Sequence, residues 1–283
     1  MSSRLTLLRY PVRFLILCAF ILTIAGCSNV KNIRPDAITP NLQPTLTIMT
    51  FNIRHGCGRE NWGNTSSGFF KGCTKKYDGI IATIRSVDPD VVGLQEISSG
   101  QAGLIAKALN MNYSYSSHNS SGYGSWWGNA VLSKFKILEA KKVAIGGSAG
   151  KNRSMILAIS LVNDTPVIFA SIHTDHRLRD DRSIKRILNY LDSVTNPAVL
   201  IGDFNMGPQS PQANSLTEGT GILDTAGSPG YGEMGTWASP TGQRIDFVFV
   251  QSKYFNVLNS ALVTAEHQLA SDHIAYYTTV ELK

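Results

Sequence analysis

Eight short apolar runs constrain this chain more than any other feature, because each is rich in β-branched and aromatic residues and most end on or beside a polar side chain. They are LTIMTFNI (46–53), DVVGLQEI (90–97), GNAVLS (128–133), SMILAISLV (154–162), VIFASIH (167–173), AVLIGDF (198–204), RIDFVFV (244–250) and IAYYTTVEL (274–282), and they read as strands. Several are apolar on both faces, a pattern that needs cover on both sides of the sheet. YDGIIATIRSVD (77–88), QAGLIAKALN (101–110) and DRSIKRILNYLDSV (181–194) place apolar residues three and four apart, as amphipathic helices do. The expected class is α+β, with sheets stacked on each other and helices outside.

The polar residues at the strand ends are Asn52, Glu96, Asn129, His173, Asp203, Asn205, Asp246, Asp272 and His273. One such residue is ordinarily a satisfied structural group. A whole set of carboxylates, amides and imidazoles on one rim offers more: oxygen ligands for Mg²⁺ or Mn²⁺, a base for water and donors for phosphate oxygens. In LIGDFNMGP (200–208), the strand period predicts that Asp203 and Asn205 share a face while Phe204 turns into the core.

Seven segments in order, TFNIRHG, VVGLQEI, GNAVLS, ASIHTDH, IGDFNMGP, TWASPTGQRIDFVFV and SDH, resemble the successive signatures of the endonuclease/exonuclease/phosphatase superfamily. The resemblance implies the deoxyribonuclease-I-like fold, a four-layer αββα sandwich with the active site along one rim. It implies that Asn52 and Glu96 hold the metal with Asp272 near it, and that Asp203 and Asn205 bracket the attacking water and the scissile phosphate. His173 would hydrogen-bond the phosphate or protonate the leaving group. His273, oriented by Asp246, would act as base or transition-state stabiliser, and which histidine carries the proton stays open. Asn129 would contact the phosphate region. Arg153 would add positive charge there, a plain surface cation being the alternative, and His176 is read as an exposed loop residue.

Substrate is less constrained, since this superfamily implies nucleases, sphingomyelinase-like phospholipases C and small-molecule phosphatases on one frame. Trp126 and Trp127 just before Asn129 could stack on bases, dip into lipid or pack in the core, and Thr236 and Trp237 are expected along the cleft. No hydrophobic hairpin or cluster of cleft cations stands out, so nucleic acid is favoured over phospholipid as partner. A non-catalytic surface-binding lipoprotein is the reading from another class; it gives no reason for the acid, amide and imidazole set. GGSAG (146–150) matches a serine-esterase elbow in letters, but a strand follows it where that motif needs a helix. Ser148 is expected in a hairpin turn, and the same stretch lacks the Ser or Thr that follows Lys in a phosphate-binding loop.

Residues 1–26 carry Arg4, Arg9 and Arg13, an apolar run from Phe14 to Ile24, and small residues before Cys27. This is the grammar of an export signal, too short for an ordinary membrane span. TIAGC resembles the bacterial lipobox, which implies lipidation of Cys27 and a membrane-anchored mature chain. Ser28, in place of Asp, implies the outer membrane of the cell envelope. Residues 27–44 are polar and hold three of the prolines, as a tether would, and the catalytic domain is expected over 45–283. Loss of the signal takes Lys plus Arg from 26 to 23 against 20 acids, a bias too mild to argue for nucleic acid by itself. Cys57 and Cys73 remain as an even pair in an oxidising compartment and are expected to form a disulfide. The expected assembly is a monomer.

Overall fold

The computed structural model of the protein describes residues 44–59, 75–119, 126–148, 152–177, 180–227, 235–237, 242–263 and 270–283. The expected export signal and tether, Cys27 and Cys73 lie outside these residues. Twelve strands are described: β1 (Thr45–Asn52), β2 (Val91–Ile97), β3 (Asn112–Ser117), β4 (Gly128–Ser133), β5 (Ile137–Gly146), β6 (Arg153–Val162), β7 (Thr165–His173), β8 (Ala198–Asp203), β9 (Ile222–Asp224), β10 (Asp246–Gln251), β11 (Phe255–Leu262) and β12 (Tyr276–Leu282). They form two six-stranded sheets, ordered β11-β12-β1-β2-β4-β3 and β5-β6-β7-β8-β10-β9.

Each sheet is mixed around one parallel pair, β1 with β2 in the first and β7 with β8 in the second. A parallel pair needs a long crossover, and helices α1 (Tyr77–Val87) and α3 (Arg182–Asp192) fall between the partners in sequence. α2 (Ser99–Leu109) follows β2; Ser98 accepts from the Gln101 amide while the Gln101 side chain accepts from the Ser98 amide, a capping box that fixes where the helix begins. The short α4 (Pro211–Thr217) starts with Pro at its first turn behind an N-capping Ser210.

The continuous apolar runs are explained by three hydrophobic layers. Ile48, Val91 and Val131 of the first sheet meet Ile156, Phe169, Ile201 and Val248 of the second. The opposite face of the first sheet packs Met49, Phe51, Val92 and Leu94 on Ile80, Ile84 and Ile105. The opposite face of the second packs Leu157, Ile168 and Phe247 on Ile184, Ile187 and Leu216. The four layers are therefore αββα, as the sequence implies.

The two sheets come close beneath the rim. A Cβ added at Gly93 would stand 2.5 Å from Cγ2 of Ile201, so any larger residue there must push the sheets apart. Alongside it runs a polar seam: Gln95 Nε2 donates to Ser171 Oγ at 3.1 Å, and Asn129 Nδ2 donates to the Ser154 carbonyl at 2.7 Å. Buried hydrogen bonds of this kind fix the register of one sheet on the other.

Candidate active site

Pairing register brings the second sheet's polar strand ends together. His173 at the end of β7 is the parallel partner of Asp203 at the end of β8, and Asp203 is the antiparallel partner of Asp246 at the start of β10. Three adjacent strands thus deliver His173, Asp203 and Asp246 side by side, all buried. His273 arrives from the segment just before β12. It is held by a bridge to Trp237, and its Nδ1 lies 2.8 Å from Asp246 Oδ2. Its Nε2 lies 3.8 Å from Asp203 Oδ2, and His173 Nε2 lies 3.5 Å from the same oxygen.

The first sheet faces this row with Asn52 and Glu96. Asn52, at the end of β1, donates from Nδ2 to Asp203 Oδ2 at 3.0 Å across the sheet gap. Glu96 sits where the register of β2 against β4 slips between Gln95 and Ile97, with φ of 52°. A regular strand would aim it, like Leu94, at the helices; the bulge re-aims it at the rim.

LIGDFNMGP departs from the expected alternation. β8 ends at Asp203, and Asn205 has φ of 48°, a left-handed turn that Asn tolerates. The Asn205 amide donates to Asp203 Oδ1 at 2.9 Å, an Asx-type turn, and Asn205 Nδ2 donates to the Thr174 carbonyl at 3.0 Å. Phe204 is buried as expected. The two polar residues share a site through a turn, and the strand period does not carry that far.

Electrostatics divides the row into unlike groups. Burial pushes the Asp203 carboxyl up to about 7, with Asp246 adding to the shift and His273 and Asn52 opposing it. Burial works against a charge on His273, but Asp246 and then Asp203 and Asp272 outweigh it and raise the imidazole to about 10. His173 goes the other way, held well below its ordinary value by burial and then by the Arg153 guanidinium. Burial and then Asp272 raise Glu96. One charged imidazole, one neutral imidazole and a carboxylate near neutrality are the elements of acid–base work on water and phosphate.

Residues 49–273 match the sequence profile of the Endonuclease/Exonuclease/phosphatase family. The chain belongs to this family. It is a phosphoesterase hydrolase of that group, and solved structures share its fold. A family protein from Bacteroides thetaiotaomicron superposes with a TM-score of 0.71 at 20% identity, covering 84% of this chain and 95% of that one. A mannosyl-6-phosphatase from Bacteroides thetaiotaomicron VPI-5482 gives 0.64 at 22% identity, covering 84% and 99%. D. rerio TDP2 complexed with a single-strand DNA product gives 0.63 at 16% identity, again covering 84% and 99%. No curated relative matches the chain.

In this family phosphoesterase the ligand atoms of Asp203, Asp246 and His273 all lie within 4.8 Å of one another, a group that could hold a metal ion. Hard oxygen donors with an imidazole suit a divalent cation. The fit is supported by Asp246 Oδ1, which is buried without a hydrogen-bond partner. The upward shifts of Asp203 and Glu96 are a second sign, since crowded buried carboxylates gain from a cation. The expected ligands Asn52 and Glu96 lie across the same gap. Asp272 pairs with Arg54 at 3.4 Å.

The phosphoesterase cleft, about 490 Å³, is lined by Glu96, Arg153, His173, Asp203, Asn205 and His273, with Trp126, Trp127, Trp237, His55 and His176 among its walls. Arg153 is buried with its guanidinium 4.6 Å from the Trp127 ring, so the surface-cation alternative falls. His176 lines the cleft with an exposed side chain. Two expected contacts do not reach it. Asn129 is fully buried and commits its amide to the Ser154 and Ser171 carbonyls. Thr236 is fully buried, its Oγ1 accepting from the Ile245 and Asp246 amides at 3.0 Å; it positions Asp246 from behind, and Trp237 is the cleft residue.

Ser148 follows β5 in a bend and donates from its amide and hydroxyl to Asp175 Oδ2 at 2.8 and 2.6 Å. Cys57 is disulfide-bonded. Sequence reasoning missed His55 and His118. Both are buried, and their rings lie 5.7 and 4.8 Å from Trp127. Both are held well below the ordinary imidazole range by burial, then by Lys75 for His55, which falls to about 3, and by Arg153 for His118. His55 stands in the RHG of the first motif and was legible there; His118, in a polar stretch, carried no local signal.

Proposed function

We propose that the protein is a divalent-metal-dependent phosphodiesterase that cleaves nucleic acid outside the cytoplasm, lipid-anchored through Cys27 to the outer membrane. The observation that carries the substrate is Trp126: it is 42% exposed at the cleft, and its ring lies 4.7 Å from His55. An exposed indole beside a phosphate site is a stacking platform that accepts any base, and Arg153 and His273 supply positive charge for the backbone phosphate. TDP2, a neighbour in fold, carries single-strand DNA product in its structure.

Glu96, with Asn52 and Asp272 beside it, would hold Mg²⁺ or Mn²⁺, which when bound would supply Lewis-acid polarisation of the phosphoryl oxygen; this leaves Asp203, Asp246 and the protonated His273 to the proton and the charge. Asp203, poised near neutrality and fixed by Asn52 and the Asn205 amide, orients the attacking water and takes its proton. His273 stays charged through Asp246 and stabilises the negative charge that develops on phosphorus-bound oxygen. His173, neutral beside Arg153, donates a hydrogen bond to the phosphate and does not compete for the proton.

The test is plasmid nicking by the mature protein with Mg²⁺ or Mn²⁺, against an EDTA control and Asp203→Ala. Metal-dependent nicking absent from the variant supports the reading. Absence of nicking alongside hydrolysis of lipid or small phosphate esters moves the substrate and leaves the phosphoesterase chemistry standing.

A further inference from the structure

Behind the catalytic row, three buried polar atoms gather around Ser154. His118, just past the end of β3, reaches the second sheet, where its Nδ1 accepts from the Ser154 amide at 3.2 Å. Asn129 of β4 reaches the same residue, its Nδ2 donating to the Ser154 carbonyl at 2.7 Å and to the Ser171 carbonyl at 3.3 Å. His173 stands beside both. It lies two residues beyond Ser171 on the same face of β7, and the β6–β7 register that sets Met155 opposite Ile172 carries Ser154 alongside it. His118 Nε2, Asn129 Oδ1 and His173 Nδ1 are each buried without a hydrogen-bond partner among the described residues. The two imidazole rings are centred 5.8 Å apart, and Trp127 packs edge-on against both.

We infer that His118 is a positioning residue for His173: through one enclosed water shared with Asn129, its Nε2–H keeps the proton of His173 on Nε2, the nitrogen that faces the catalytic row. The inference rests on the phosphoesterase reading for what His173 does there, and it adds what sets the proton.

Donors and acceptors decide the arrangement. A backbone N–H can only donate, so His118 Nδ1 is bare and Nε2 of the neutral ring carries the proton. Burial, then Arg153, holds both imidazoles well below their ordinary range, so both are neutral near pH 7. Asn129 Oδ1 can only accept. A water that accepts from His118 Nε2–H has two protons to give, one for Asn129 Oδ1 and one for His173 Nδ1. All three atoms are then matched, and about three hydrogen bonds is the usual complement of an enclosed water.

His173 Nδ1 is thereby an acceptor, and its proton stands on Nε2, 3.5 Å from Asp203 Oδ2. The opposite tautomer, with Nδ1–H given to Asn129, leaves the His118 N–H buried and unmatched, which costs stability. It also turns a bare Nε2 toward the Asp203 carboxylate. Only the Nε2–H form can donate to a phosphate oxygen from this ring position.

The experiment reads the tautomer directly, by long-range proton–nitrogen correlation spectra of the full mature protein labelled with nitrogen-15 at histidine, at pH 7.5 with Mg²⁺. His173 is assigned by its loss in His173→Gln. Wild-type His173 and His118 should both show a protonated Nε2 and a bare Nδ1. His118→Asn keeps an acceptor for the Ser154 amide and removes the Nε2–H. It should move the His173 proton to Nδ1 and lower kcat on bis(4-nitrophenyl) phosphate by about 10²-fold, with KM nearly unchanged. His118→Gln, whose amide N–H can take the place of Nε2–H, should return the wild-type tautomer and most of kcat. A proton on Nδ1 of either wild-type ring overturns the link, whether or not a variant folds. So does a His173 tautomer that His118→Asn leaves unchanged, since a fall in kcat alone would then be a packing effect. Absence of turnover by the wild type would sink the phosphodiesterase reading, while the spectra still decide the tautomer.

Discussion

His273 Nδ1 lies 2.8 Å from Asp246 Oδ2, and the β8–β10 register places Asp246 opposite Asp203, so one carboxylate governs both the charge on His273 and the proton affinity of Asp203. Removing that carboxylate should do two things. In Asp246→Asn, kcat/KM should fall by about 10²–10⁴, and the alkaline limb of the pH–rate profile should move to lower pH, because His273 loses the partner that holds its proton. Rates on bis(4-nitrophenyl) phosphate between pH 6 and 10 check both. A fallen rate with an unmoved limb would mean that His273 is not the group whose charge sets that limb.

Asp203 is raised to about 7 by burial and by Asp246, so without metal its charged form is unfavourable in the folded protein. A carboxyl whose folded value lies above its unfolded one subtracts stability at high pH and stops doing so as pH falls below the unfolded value. Asp203→Asn should therefore abolish turnover, by at least about 10³-fold, and leave the metal-free melting temperature at pH 8 unchanged or higher. Thermal melts in EDTA measure it; a large fall in stability would mean that Asp203 is held by its hydrogen bonds more than it is strained by its neighbours.

Ligand binding to the folded state alone stabilises it by RT ln(1 + [L]/Kd), about 2.7 kcal/mol at a hundredfold excess over Kd. Mg²⁺ or Mn²⁺ should accordingly raise the wild-type melting temperature, and Glu96→Gln should lose most of that rise while keeping its fold. An equal rise in the variant, with the rise lost instead in Asp246→Asn, would move the ion to the Asp203, Asp246 and His273 group.

The sequence was most legible where burial is two-sided. GNAVLS is β4 residue for residue, and the other long apolar runs miss their strand ends by at most two residues. Strands β3, β5, β9 and β11 were not expected. NYSYSS, ILEAKKVAIG, ILD and FNVLNSAL are the edge strands of the two sheets, each with exposed positions, and β11 carries a bulge between Val257 and Asn259. Such strands are held by their neighbours' hydrogen bonds rather than by an apolar pattern of their own. At the site, strand ends foretold His173, Asp203 and Asp246, because register follows from pairing. The aim of Glu96 and Asn205 depends on left-handed turns, and the inward commitment of Asn129 and Thr236 depends on the facing sheet and loop. Neither is written in local sequence.

The resemblance of TIAGC to a lipobox gives an independent prediction about place. One acyl chain binds a membrane only marginally, so a stable anchor of this kind needs the full lipid modification of Cys27. Cys27→Ala, expressed as the full chain in a bacterial host, should move the protein from the membrane fraction to the soluble envelope fraction with its phosphoesterase activity intact. Retention in the membrane fraction would show that something other than Cys27 holds it there.

His118 tests whether the imidazoles behind the cleft are structural. Its Nδ1 accepts from the Ser154 amide at 3.2 Å, its Nε2 is buried without a partner, and burial followed by Arg153 holds it well below the ordinary 6.5. Below 6.5 the unfolded chain takes up a proton here that the folded protein refuses, so stability rises with pH through this window and falls as the solution is acidified. For an imidazole that stays neutral in the fold, the loss between pH 7.5 and 5.5 is about 1.4 kcal/mol. His273 has the opposite sign, since its raised value adds stability that is full below 6.5 and is lost as pH climbs through about 10. A difference against His118→Asn isolates the first effect. The Asn Oδ1 can take the place of Nδ1 as acceptor from Ser154, and it does not titrate. Urea unfolding at the two pH values should show wild type losing about 1.4 kcal/mol more than the variant on acidification. Equal losses would mean that His118 is protonated in the folded protein, and that a counter-charge reaches it behind Trp127.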